Sequence, residues 1–127
     1  MIEAENKHNP ALLDEFLAPD FVNEIIIIPD PPTETPGREI YKQGSKTFIE
    51  AFPDFHGTIE DIIAEGDKVW IRYKGTGTHK GEYLGLTPTG KKITMTAFGI
   101  YRITDTKVVK LTNFIDRYFF KDLGIIE

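Results

Sequence analysis

Two side chains in this 127-residue chain, Asp116 and His79, have the type and setting to move a proton. Asp116 comes late in Lys107-Val108-Val109-Lys110-Leu111-Thr112-Asn113-Phe114-Ile115-Asp116-Arg117-Tyr118-Phe119, which reads as one strand of alternating residues. Side chains two apart share a sheet face, so Asp116 is expected on the side of Phe114 and Val108. If that face looks into the interior, the carboxylate sits on an apolar wall. Loss of hydration would then raise its pKa and fit it for general acid/base work. His79 shares its parity with Val69, Ile71 and Tyr73 and is expected to point inward too. The structural alternatives are an ion pair of Asp116 with Arg102 or Arg117, and a backbone-ordering hydrogen bond from His79 among its glycines.

The elements that would position these groups are legible in outline. Asn9-Pro10 is a helix start, Asn as N-cap and Pro at the first helical position. Leu12, Leu13, Phe16 and Leu17 follow at helical spacing, and Pro19 ends the helix. Phe21 to Ile28 has the β-branched density of a short buried strand. Asp30 to Gly37, with three prolines, is expected to be an irregular rim or lid. Arg38 to Phe52 is expected to be a second helix, with Tyr41, Phe48 and Phe52 near one face, Gly44 and Ser45 making room, and Pro53 as the stop. Four strands follow, Thr58 to Glu65, Lys68 to His79, Lys91 to Thr104 and Lys107 to Phe119. Turns at Gly66-Asp67 and Asp105-Thr106 and the glycine-punctuated connection Lys80 to Gly90 separate them. Helices first and long antiparallel strands afterwards make an α+β domain spanning residues 1–127.

Composition narrows the function. Fifteen Lys+Arg against 20 Asp+Glu give a net charge of -5, and the basic residues are scattered, which disfavours nucleic acid as a partner. The chain has no cysteine, which removes disulfides and thiolate chemistry. Ile25 to Ile28 is far too short to span a membrane, and the polar Met1 to Asn9 does not read as a signal peptide. A soluble, cytoplasmic protein is expected. His8, His56 and His79 lack ligand spacing, so no metal is expected. Nine Phe, five Tyr and one Trp are generous for this length and match a hollow that takes a hydrophobic or aromatic small molecule. The expected lining residues are Tyr41, Phe48, Phe52, Phe55, Tyr73 and Phe114. Trp70 has the opposite parity, beside Arg72 and Lys74, and is expected to face outward in a dimer interface.

The order of these pieces resembles the SnoaL-like polyketide cyclases of the nuclear transport factor 2-like superfamily. The resemblance rests on Leu17-Ala18-Pro19-Asp20-Phe21-Val22 after the first helix and Phe48-Ile49-Glu50-Ala51-Phe52-Pro53-Asp54-Phe55 at the exit of the second. It continues through Gly66-Asp67-Lys68-Val69, Gly77-Thr78-His79-Lys80-Gly81, Pro88-Thr89-Gly90-Lys91, Arg102 and Lys107-Val108-Val109. It implies a cone-shaped fold, a strongly curved and mostly antiparallel sheet with helices on its concave side around a pocket, and a homodimer formed through the sheet. It also implies a cofactor-free intramolecular aldol-type ring closure. An aspartate on the last strand serves as general acid/base there, and Asp116 holds that position. His79 matches the family's histidine.

Two departures accompany the resemblance. Lys110 and Thr112 stand where the family usually has an acidic residue and a Trp, and only Met1 to Leu17 is available for a first helix that is longer in relatives. The competing functions are an isomerase, dehydratase or hydrolase using the same aspartate, a non-catalytic ligand-binding module of the same fold, or an interaction protein that works through its sheet face.

Overall fold

The period-two alternation of the second half of the chain becomes four long strands: β3 (His56–Glu65), β4 (Lys68–Thr78), β5 (Lys92–Thr104) and β6 (Lys107–Ile115). Each pairs antiparallel with the next. The computed structural model describes residues 10–28 and 30–124. Ahead of these strands come a 3₁₀ turn (Pro10–Leu12), α1 (Leu13–Phe16), β1 (Leu17–Ile26), β2 (Thr33–Pro36) and α2 (Arg38–Ala51), and α3 (Arg117–Leu123) follows them. The sheet runs β2-β1-β6-β5-β4-β3, open at both ends, with β1 parallel to β6 and every other pair antiparallel. The expected α+β class with a mostly antiparallel sheet is the class observed.

Helices α2 and α3 cover the inner face of the sheet. Beneath them Phe52, Phe55, Ile71, Tyr73, Ile93, Met95, Phe119 and Leu123 form one buried cluster. Leu13, Leu17, Phe21, Val108 and Leu111 form a second under α1. Burying each such side chain stabilises the fold by about 1.5–3 kcal/mol, which is why short helices persist here. α2 ends because Pro53 disfavours helical geometry at Phe52, whose backbone leaves the helical region at φ -127 and ψ 73. Arg38 at its start donates to the carbonyl of Leu17 at 3.2 Å, tying helix to strand.

Three boundaries differ from expectation. The first helix stops at Phe16, and Pro19 lies inside β1; Asn9, expected as its cap, is outside the described residues. Proline has no ladder donor, and the β1–β6 pairing slips between Leu17 and Val22, around it. The segment expected to be irregular contains β2, an edge strand where Pro36 is tolerated opposite Val22. The last strand ends at Ile115 instead of Phe119. Asp116 caps α3 by accepting from the Tyr118 N–H at 2.9 Å, and Gly124 closes the helix at φ 83.

β6 also carries a one-residue slip. Val108 pairs with Ile103 and Lys110 with Arg102, which leaves Val109 as an extra residue. A slip of one residue exchanges the faces of everything beyond it. Val108 is therefore buried on the inner side with Leu111, while Phe114 lies opposite Phe98 on the outer side.

Candidate functional site

The two helices and the inner sheet face line a half-open cavity of about 330 Å³. Helix α2 contributes Ile40, Tyr41, Gly44, Ser45 and Phe48, and α3 contributes Phe119 and Phe120. The sheet supplies Asn23 and Ile25 from β1, Thr35 from β2, Tyr73 from β4, Met95 from β5, and Asn113 and Ile115 from β6. Tyr83 closes the wall from the 80–90 connection. Among the described residues, none of the lining side chains is a carboxylate, a histidine, a lysine or an arginine.

One wall is a stack of rings. Phe48 lies 4.9 Å from both Phe52 and Phe55 and 5.8 Å from Tyr83, with Phe55 and Tyr83 edge-on to it. The Phe55 ring occupies the space that a Cβ at Gly75 would need, so the strand can approach only as glycine. Of the expected lining residues, Tyr41, Phe48 and Tyr73 reach the cavity. Phe52 and Phe55 stand behind Phe48 in the buried core.

Phe114 and Asp116 are placed differently from the inner wall foreseen for them. Because β6 slips at Val109, Phe114 faces outward, and Asp116 lines an open outer groove with Thr96, Phe98 and Phe114. The Asp116 carboxylate is exposed and engaged in capping α3.

His79 does point inward, and it is fully buried. It lies behind Phe52, ring centroids 5.5 Å apart, and is absent from the cavity lining. Its Nδ1 accepts the Thr89 N–H at 3.2 Å and lies 3.0 Å from Thr89 Oγ1. Accepting a backbone N–H there puts the ring proton on Nε2. The backbone of His79 bonds Lys91 and Gly90, so the residue clamps one end of the 80–90 connection. The other end is held by Lys80 and Gly81, whose N–H groups both donate to Ala51. Gly81 sits directly against the Glu50 carbonyl, where a side chain would collide. Thr78 is fixed in turn by Asp54, which accepts from its N–H and its hydroxyl, both at 2.7 Å. Those two bonds hold the Asp54 carboxyl below the usual carboxylate range.

This anchored connection delivers Tyr83. A tight turn, with mutual hydrogen bonds between Tyr83 and Leu86 and positive φ at Leu84 and Gly85, presents its ring to Phe48 and Phe52. Burial pushes its phenol up to about 12, so it remains a neutral hydroxyl at ordinary pH.

The polar residues that reading by alternation missed are Asn23 and Asn113. They are 9% and 8% exposed, and the Asn113 amide donates to Asn23 Oδ1 at 3.4 Å. The signal was available in part, since Asn113 alternates with Leu111 and Ile115. It was obscured because the face was assigned from Val108, on the far side of the slip.

Comparison with known proteins agrees with the geometry. The family model of SnoaL-like polyketide cyclases matches residues 1–120. No curated protein sequence matches the chain significantly. Among solved structures, AclR of Streptomyces galilaeus, a proposed hydroxylase, is similar at 28% identity and a TM-score of 0.80, over 99% of this chain and 81% of that one. IdmH of Streptomyces antibioticus, a proposed polyketide cyclase, is similar at 30% identity and a TM-score of 0.77, over 98% and 93%. TsrD of Streptomyces laurentii shares the fold at 24% identity and a TM-score of 0.82, over 98% and 90%.

Proposed function

We propose, from the premise that this chain belongs to the SnoaL-like polyketide cyclase family, that its inner cavity takes up a flat, largely apolar small molecule of the kind such cyclases close into rings. The observation that carries this reading is the ring-walled cavity of about 330 Å³, a size and an apolar character suited to a small ligand. Gly44 provides the test, because it lines the cavity and no atom lies within 4 Å of where its Cβ would be. Gly44→Leu projects into the ligand space while improving helix propensity by about 0.5–1 kcal/mol. Titration with 2-acetylnaphthalene is expected to saturate in the wild type and to weaken about tenfold or more in Gly44→Leu. No saturable binding to the wild type would sink the reading.

Catalysis by Asp116 rests on its family position, and the cavity geometry favours uptake without it. Asn caps a helix about as well as Asp, so Asp116→Asn separates the two roles. In a ring-closure assay with an aromatic polyketide chain, loss of turnover with ligand affinity unchanged assigns proton transfer to Asp116. Unchanged turnover removes it from the mechanism, and no turnover by the wild type leaves a binding module.

The outer sheet face supports a homodimer as a further part of this reading. Trp70 and Phe98 are 50% and 49% exposed there, close to Ile100 and Phe114. Charges of both signs, Glu24 with Lys68, Arg102 and Lys110, share the face and give a second copy opposite charges to meet. Light scattering after gel filtration is expected to give twice the chain mass for the wild type and a shift toward monomer for Trp70→Ala. A monomeric wild type at tens of micromolar would refute it.

A further inference from the structure

We infer that the Asn23–Asn113 pair is the specificity element of the cavity and selects a neutral ligand that presents a ketone oxygen, against both carboxylates and hydrocarbons of the same shape. The inference rests on the cavity being a ligand site and adds which ligand chemistry it takes.

The two amides stand on adjacent parallel strands, β1 and β6, in a sheet wall whose other lining residues are Ile25, Thr35, Tyr73, Met95 and Ile115. Two primary amides bring four N–H donors and two carbonyl oxygens. Their mutual contact, at 3.4 Å, uses one donor and one acceptor and is long for such a bond. Both side chains line the cavity, and neither has another described hydrogen bond. The remaining amide N–H groups are therefore donors available to an occupant on the sheet wall, beside the hydroxyls that Thr35, Ser45 and Tyr83 bring from the cavity's other walls. An occupant with no acceptor dehydrates them without replacement, a loss of about 1–3 kcal/mol per group. Sites built to hydrogen-bond an occupant discriminate strongly against analogues that lack the matching atom.

Charge settles the choice between acceptors. A carboxylate would accept from the same N–H groups, but it would be buried with no cation beside it among the described residues. Lys110 is on the same strand as Asn113 yet on the opposite face, 3.2 Å from Glu34 and 3.9 Å from Glu24. Lys42 and Arg38 on α2 are engaged with Asp14, at 3.0 and 3.2 Å. An unpaired buried charge costs far more than two hydrogen bonds return. A neutral ketone receives the N–H groups without that penalty.

The test uses three bicyclic probes of one shape at neutral pH: 2-acetylnaphthalene, 2-ethylnaphthalene and 2-naphthoate. The wild type is expected to bind the ketone at least tenfold more tightly than either of the others. In Asn113→Leu and in Asn23→Leu the ketone should fall to within about threefold of the hydrocarbon, whose own affinity, with the melting curve, reports that the cavity is still folded. Equal binding of the three probes by the wild type overturns the inference and leaves the cavity reading standing. So does a ketone preference that survives in both variants. Failure of all three probes to bind the wild type overturns both.

Discussion

Phe52→Ala is expected to lower the unfolding free energy by about 3–5 kcal/mol, the range for removing a fully buried aromatic ring. Phe52 is fully buried and sits among Phe48, Tyr83, Phe119 and His79, at centroid distances of 4.9, 5.4, 6.1 and 5.5 Å. Those neighbours come from α2, the 80–90 connection, α3 and the end of β4, so no single element can move in to fill the space. A domain of this size has about 5–15 kcal/mol in total, and the variant would be close to its threshold. Urea unfolding followed by far-ultraviolet circular dichroism and by Trp70 fluorescence measures the loss. Phe52→Leu retains most of the volume and should lose much less. A loss below 1 kcal/mol for Phe52→Ala would mean that the ring stack closes up, and with it the wall of the cavity.

Tyr83 governs stability at alkaline pH. Its phenol is pushed up to about 12 in the folded protein by burial, against about 10 in an unfolded chain. Below pH 10 the hydroxyl keeps its proton in both states, and its contribution is fully present. From pH 10 to 12 the unfolded chain binds fewer protons than the folded one, so stability falls as pH rises. Two units correspond to about 2.7 kcal/mol. Tyr83→Phe removes this loss but leaves the lysines, which titrate in the same range, as they are. The stability gap between the two proteins is expected to shift in favour of Tyr83→Phe between pH 9 and 12, read as urea midpoints. Parallel curves would show a solvated phenol and a more open cavity mouth. Phenolate absorbance gives an independent reading, with a tyrosine ionising near pH 12 in the wild type and missing from the variant.

The parts of this molecule that sequence made legible are those governed by a local rule. Alternation located β3, β4 and β5 to within two residues at either end, helped by the uninterrupted pairing of β4 with β5. Gly66 and the Asp105-Thr106 pair, all at positive φ, marked their turns. The inward His79 and the outward Trp70 followed from parity on β4, a strand with an uninterrupted pairing to β5. Parity failed on β6, where the slip depends on the partner strand and leaves no mark in composition. Residues beyond it were assigned to the wrong side, which moved Asp116 into a cavity it does not line and kept Asn113 out of one it does. The end of that strand carried a readable signal. Asp116 as a cap, Phe119 and Leu123 at helical spacing, and Gly124 behind them spell a short helix, and that local rule competed with an apparent continuation of the strand. Asn23 lay beyond local rules altogether, because its importance comes from a neighbour 90 positions away.

Val109 has a consequence for how proteins built this way diversify. Val109 is the extra residue between two regular pairs, so its loss would leave Val108 opposite Ile103 and Lys110 opposite Arg102, with Asn113 and Ile115 still facing the cavity. A one-residue change of length at this point is thus absorbed by the bulge, and the cavity wall survives an event that would turn over a continuously paired strand.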